Sequence, residues 1–138
     1  MSDQKLEALK ATALFSTCSD KQLELIGKVT DRTSAAAGTV LVKQDSVPHQ
    51  MAILISGSAK VEVGDKEVAN LGPGDVVGEL AMIDSKPASA TVTMTTDGEA
   101  WMVARSGFRP VWEQNPDMSR ALLEAVVARL RAADDLLA

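Results

Sequence analysis

Residues 72–82 read GPGDVVGELAM and residues 87–92 read PASATV, and this stretch decides the fold. Gly78 permits a backbone conformation or a close approach that a Cβ atom would block. The residues that follow it start a short helix, whose free N–H groups favour an anion. Ser89 adds a hydroxyl from the returning segment. The stretch therefore predicts a cradle for one negative group.

The same segment resembles the phosphate-binding cassette of cyclic-nucleotide-binding domains, which occur in the cyclic-AMP receptor protein, in cyclic-nucleotide-dependent kinases and in gated channels. The family pattern is Gly-Glu-Leu-Ala, a short loop, and then Arg-Ala/Ser-Ala-Thr-Val. The resemblance implies an antiparallel β-roll (a double-stranded β-helix or jelly roll), mainly β, with N-terminal helices and two C-terminal helices. It implies cyclic AMP or cyclic GMP as the ligand, with a sugar hydroxyl bonded to the carboxylate of Glu79. The implied ligand-binding positions are Gly78, Glu79, Leu80, Ala81, Ala88, Ser89, Ala90 and Thr91.

The cassette departs from the family pattern at one position. Counting back from residues 90–92, Ala88 stands where the family has the arginine that grips the phosphate. A guanidinium clamps a phosphate with a two-pronged contact. Removing one partner of a buried, hydrogen-bonded charge pair costs about 2–5 kcal/mol. That cost is roughly one and a half to three and a half decades of affinity, so we expect weakened or altered nucleotide binding.

Three consequences of Ala88 remain open at this point. The pocket can still bind a cyclic nucleotide or a related small anion weakly, through helix N–H groups, Ser89 and Glu79. Lys86 can act as a substitute cation, although a mobile ammonium is a poorer clamp than a guanidinium and this side chain can equally be a solvated loop charge. Alternatively, the site has changed or lost its ligand, and the chain is a degenerate, ligand-independent protein-interaction module.

The middle of the chain has the periodicity of short β-strands. Ala59, Val61 and Val63 alternate with charged residues, as in a half-buried strand. The run 51–55 is apolar on both faces and predicts a central strand. Turn residues separate these segments at spacings typical of a sandwich or barrel. We expect eight strands within residues 29–104, with the cassette at 72–92.

Both ends of the chain are predicted to be helical. Ser19 and Gln22 have the spacing of a capping box, which predicts a short helix from about Asp20 to Gly27. Ser106 is predicted to cap a helix that ends near Gln114, and a second helix follows the 115–117 turn. The whole chain is expected to be one domain, with N-terminal helices in 1–28 and hinge and terminal helices in 105–138.

The terminal helix carries an apolar stripe formed by Leu123, Val127, Leu130 and Leu137. One interpretation is that the stripe docks on the roll within the chain. The other is that it pairs with a second copy, as the corresponding helix does in the receptor-protein branch of the family. In that case Arg129 or Arg131 would reach the ligand base.

The composition and the small number of reactive residues argue against several classes of function. The 138 residues fit one domain, and the net charge of −5 does not suggest a nucleic-acid partner. There is one cysteine, no run of membrane-spanning length and no signal-peptide pattern, so we expect a cytoplasmic protein without membrane contact. One histidine cannot supply the several ligands that a cupin-type metal enzyme needs, and nothing assembles a nucleophile, base and oxyanion site. We therefore expect a regulatory module without cofactor that shifts its hinge helices and signals through an unknown protein partner.

Overall fold

The computed structural model describes residues 1–137, and of Leu137 only the backbone, so the predicted place of its side chain in the terminal stripe lies outside the described residues. The chain separates into two units. One comprises Met1–Lys28 with the residues from Pro110 onward, and the other comprises Val29–Arg109. The expectation of a single domain stays a prediction.

The first unit is helical. Helix α1 spans Asp3–Ala11, a 3-10 turn spans Ala13–Phe15, α2 spans Asp20–Lys28 and α5 spans Pro116–Leu137. The predicted capping box is confirmed. The Gln22 N–H donates to Ser19 Oγ at 3.2 Å, and the Ser19 N–H donates to Gln22 Oε1 at 2.9 Å. Together these two bonds satisfy two amides at the start of α2.

Two four-stranded antiparallel sheets form most of the second unit. Their strands, in chain order, are β1 (Thr30–Ala35), β2 (Val40–Val42), β3 (Gln50–Ser56), β4 (Ala59–Val63), β5 (Lys66–Leu71), β6 (Val76–Val77), β7 (Thr91–Met94) and β8 (Gly98–Ala104). The strand orders are β1-β8-β3-β6 and β2-β7-β4-β5. The predicted β-roll with eight strands is thus confirmed over the described residues. The apolar run 51–55 lies in β3, which is flanked by two neighbours as expected.

Apolar side chains from both sheets form one core. Its buried members are Ala35, Val42, Ala52, Leu54, Ala59, Val77, Val92, Met94 and Ala100. The alternation predicted for β4 is only partly present. Ala59 is buried and Val61 packs half-buried against the same cluster, but Val63 is exposed and the charged residues between them are as buried as Val61.

Two further helices complete the architecture. Helix α3 (Ala81–Asp84) lies between β6 and β7, and α4 (Arg105–Glu113) follows β8 directly. The prediction that Ser106 caps α4 is wrong, because the helix begins one residue earlier. The Arg105 N–H donates to the His49 carbonyl oxygen at 2.9 Å, so the contact that fixes the start of the helix comes from a distant loop.

Much of the predicted terminal stripe is exposed. Leu123 and Leu130 are each 63% exposed, and Val127 is exposed as well. Docking of the stripe on the roll and pairing with a second copy both stay predictions. A different face of α5 is buried, and its members are Met118, Ala121, Leu122 and Ala125. This buried face packs beside the 3-10 turn of the same unit, where the Thr17 hydroxyl donates to the Ala121 carbonyl oxygen.

Across residues 1–137, none of the helices combines the length and the hydropathy that crossing a bilayer requires.

Candidate functional site

The cassette begins where Gly78 turns the chain out of β6. Its φ is +77°, a conformation that side chains rarely adopt. A Cβ atom at this position would lie 3.0 Å from the Gln50 carbonyl oxygen and 3.4 Å from Val42 Cγ2. Glycine is therefore required both for the turn and for the close approach of β3.

Helix α3 is a single turn that follows this glycine. Its N-cap residue Leu80 makes no side-chain cap bond. The helix ends at Ser85, whose φ of +54° is left-handed and whose N–H donates to the Ala81 carbonyl oxygen at 3.1 Å. The Lys86 N–H then donates to Asp84 Oδ1 at 3.0 Å. These bonds fix the loop between α3 and β7.

The returning segment is anchored to the loop after β2. The Asp45 N–H donates to the Ala88 carbonyl oxygen at 2.9 Å, and the Ala88 N–H donates to the Ser46 carbonyl oxygen at 2.9 Å. Gln44 and Ala88 also form an isolated parallel bridge. The backbone at position 88 is therefore held in one place, whatever side chain it carries.

These elements enclose a cavity of about 550 Å³. Its lining contains most of the predicted cassette positions, namely Gly78, Glu79, Leu80, Ala81, Ala88, Ser89 and Ala90, together with Lys86. The carboxylate-bearing Glu79 and the hydroxyl-bearing Ser89 thus share one hollow. The cavity volume falls in the range usual for small-ligand sites, about 300–1,000 Å³.

Two predicted positions do not line the cavity. Thr91 Oγ1 instead accepts a hydrogen bond of 3.0 Å from the Gln44 N–H, so its hydroxyl supports the anchored loop. Arg129 lies on an exposed stretch of α5 and is not among the lining residues.

The charges on the cavity wall do not favour an anion. The lining contains two carboxylates, Glu79 and Asp84, and one ammonium, Lys86, which sums to −1 when all three are ionised. No arginine is among the lining residues of the described chain. A phosphate here would depend on neutral donors and on one mobile cation.

The site also has an apolar wall, which was not predicted from the sequence. Much of the lining is aliphatic, with Val42, Val61, Leu71, Val76, Val77 and Val92 facing the space. The strand alternation carried a signal for part of it, since Val61 occupies an inward position two residues after the buried Ala59. Leu71 lies at the end of an otherwise exposed strand, and that strand carried no such signal.

Comparison with known proteins settles the family. The family model described as "Cyclic nucleotide-binding domain" matches residues 32–115. The chain belongs to this family. The domain therefore has the fold and the ancestry of regulatory modules that bind cyclic nucleotides.

Individual relatives agree with this assignment. The Pycsar effector protein XpPycTIR of Xanthomonas perforans is 34% identical over 108 residues, which are 78% of this chain and 36% of that protein. The N-terminal domain of a transcriptional regulator from Streptomyces coelicolor superposes with a TM-score of 0.80 at 25% identity, covering 93% of this chain and 95% of that one. The regulatory domain of Toxoplasma gondii PKA, solved with cAMP, gives 0.71 at 26% identity, covering 79% and 43%. The chain spans about a third of the length of its Pycsar effector relatives.

Proposed function

We propose that this domain is a regulatory sensor whose cassette binds a cyclic nucleotide, or a related small anion, weakly and without a guanidinium clamp. The observation that carries the proposal is the shared cavity, since Glu79 and Ser89 line the same hollow as Ala88. The Ser89 hydroxyl can donate to a phosphate oxygen, and the Glu79 carboxylate can accept from a ribose hydroxyl. The aliphatic wall offers an apolar surface to a base.

Weak nucleotide binding follows from the charged side chains that line the cassette cavity. In the family pattern an arginine would project from position 88, and here that position ends in a methyl group. Lys86 is the only cationic lining residue in the described chain, and two carboxylates share its cavity. The expected affinity is about one and a half to three and a half decades below that of a cassette with the arginine.

The regulatory output is proposed to run from the cassette to α4. Arg109 of α4 donates from Nη1 to Ser85 Oγ at 3.3 Å, and Ser85 terminates α3. A ligand that binds one arrangement of α3 more tightly than another would bias this contact. The size of the bias is limited by the difference between the two affinities.

A second copy of the chain is the partner that we propose for α5. Leu123, Val126, Val127 and Leu130 form an exposed apolar stripe at spacings of three and four residues. This is the pattern of helices that pair along one face. The buried residues of α5 lie on another face, so pairing would leave the packing of the first unit intact.

The alternative function is a ligand-independent interaction module that retains the cassette as scaffold. Among the described residues, no arginine lines the cavity and the lining carboxylates outnumber the cation, which favours this alternative. Both functions predict the same fold, so only a binding measurement separates them.

Titration calorimetry of the unmodified chain with cyclic AMP and cyclic GMP is the test. The sensor function predicts saturable heat at nucleotide concentrations up to the millimolar range, because the clamp is lost and the other contacts remain. No heat from either nucleotide at millimolar concentration would remove them from the account and favour the interaction module.

A further inference from the structure

A second cavity lies at the first turn of α4. It has a volume of about 250 Å³ and is lined by His49, Arg105, Ser106 and Arg109. It shares no lining residue with the cassette cavity. Two of its four side chains are guanidinium groups and none is acidic, in a chain whose net charge is −5. The charge balance is thus the reverse of that in the cassette.

Arg105 has an unsatisfied donor at this place. Its Nη1 atom is buried, and no hydrogen-bond acceptor reaches it from the described residues. A buried donor without a partner costs about 1–3 kcal/mol, and more when the group is charged. Water does not reach this atom in the structure, so an occupant of the cavity would accept from it only after the guanidinium turns toward the space.

The other side chains complete a set of donors. The main-chain N–H of Arg105 donates to the main-chain carbonyl oxygen of His49, and both residues line the cavity. Ser106 adds a hydroxyl, and an imidazole N–H is a further donor. Arg109 donates to Ser85 Oγ at the end of α3, so part of its guanidinium is already used. Arg105 is therefore the principal contact for an occupant.

We propose that this cavity is a second anion site, separate from the cassette and beyond the proposed nucleotide function, which takes one phosphate or carboxylate group. A planar guanidinium fork matches the oxygens of either group. The position at the first turn of α4 adds a favourable helix dipole. The volume of about 250 Å³ is sufficient for one such group with its hydration.

Inorganic phosphate is the probe, titrated into the full chain at constant ionic strength and followed by two-dimensional amide NMR. The expected result is a saturable shift of the amides at positions 49, 105 and 106. Arg105→Met should weaken this binding at least about tenfold, and Arg105→Lys, which keeps the charge and loses the fork, several-fold. The lysine variant also provides the test should the methionine variant fail to fold.

Two controls separate this site from others. Arg32→Met removes an arginine that is already paired, with Nε 2.9 Å from Glu99 Oε2 and Nη2 3.0 Å from Glu99 Oε1, and should leave phosphate binding unchanged. Ser89→Ala changes only the cassette cavity, so any loss of phosphate binding there should leave the shifts at positions 49, 105 and 106 unchanged. Either of two results overturns the proposal: no saturable shift in the unmodified chain, which would mean that water alone fills the cavity, or equal binding in the Arg105 variants.

Discussion

Gly78 and the Gln50 carbonyl oxygen lie so close that a Cβ atom on the glycine would sit 3.0 Å from that oxygen. The φ of +77° adds a conformational cost for any side chain. We therefore expect Gly78→Ala to lower the free energy of unfolding by about 2–4 kcal/mol, the sum of backbone strain and a contact with main chain that cannot move aside. Urea denaturation measures the change.

Gly64→Ala is the matched control for this prediction. Gly64 also has a positive φ, of +60°, but nothing lies within 4 Å of a Cβ atom there. It should show the strain alone, about 1 kcal/mol. Equal losses for the two variants would mean that β3 does not confine the cassette turn.

Thr91→Val tests the supporting role of the Thr91 hydroxyl. The change keeps the shape of the side chain and removes the acceptor of the partly buried Gln44 N–H. The expected loss of stability is about 1–3 kcal/mol, measured by urea denaturation. Thr93→Val, two residues along the same strand, is the control and should stay within about 0.5 kcal/mol. A Thr91→Val variant as stable as the unmodified chain would contradict the supporting role of the Thr91 hydroxyl.

Cys18 gives a prediction about alkaline pH. Burial raises the pKa of its thiol from 9.0 to about 11. The unfolded chain therefore loses this proton first, and stability falls as the pH rises from about 9 to 11. The fall should be about 1–2 kcal/mol, less than two full pKa units would give because the thiol is only partly buried. Denaturation at pH 8 and 10.5 measures it, and Cys18→Ala should abolish the difference. A fall of the same size in the variant would assign it to other groups.

The exposed stripe of α5 predicts self-association. Leu130→Glu places a charge on this stripe and should weaken dimerisation at least about tenfold, as measured by sedimentation velocity over a range of concentrations. Leu136→Glu introduces the same charge at a residue that is 88% exposed and lies on another face of the helix, so it should have no effect. A chain that is monomeric at all concentrations would remove the second copy from the account.

Local patterns in the sequence carried much of the fold. The capping box at Ser19 and Gln22 needs only neighbouring residues, and it forms as predicted. The positions of the strands followed from alternation and turn residues for the same reason. The start of α4 could not be predicted in this way, because it is fixed by a bond between Arg105 and His49, which are far apart in sequence.

The buried face of the terminal helix also could not be predicted from the sequence. Both Leu122 and Leu123 are apolar, and periodicity alone does not decide which of them is buried. Packing against the 3-10 turn selects the face with Leu122 and leaves Leu123 exposed.

The motif residues of the cassette could be predicted from the sequence, but their contacts with other loops could not. Its glycine, carboxylate and serine stand in one short segment, and they line one cavity. The role of Thr91 depends on Gln44 in another loop, so the motif alone suggested a ligand contact instead. The second cavity, which is basic, could not be predicted from the sequence, because its lining combines a loop residue with residues from the start of a helix.

The most direct test of the central claim is calorimetric titration of cyclic AMP into the unmodified chain and into Ala88→Arg. The backbone at position 88 is already anchored to Asp45 and Ser46, so the new guanidinium should add a clamp without rebuilding the loop. We predict that the arginine variant binds about 30-fold to 3,000-fold more tightly, while a volume-matched Ala88→Met variant gains nothing. An arginine variant that binds no better than the unmodified chain would contradict the claim that this pocket is a nucleotide cassette lacking only its cation.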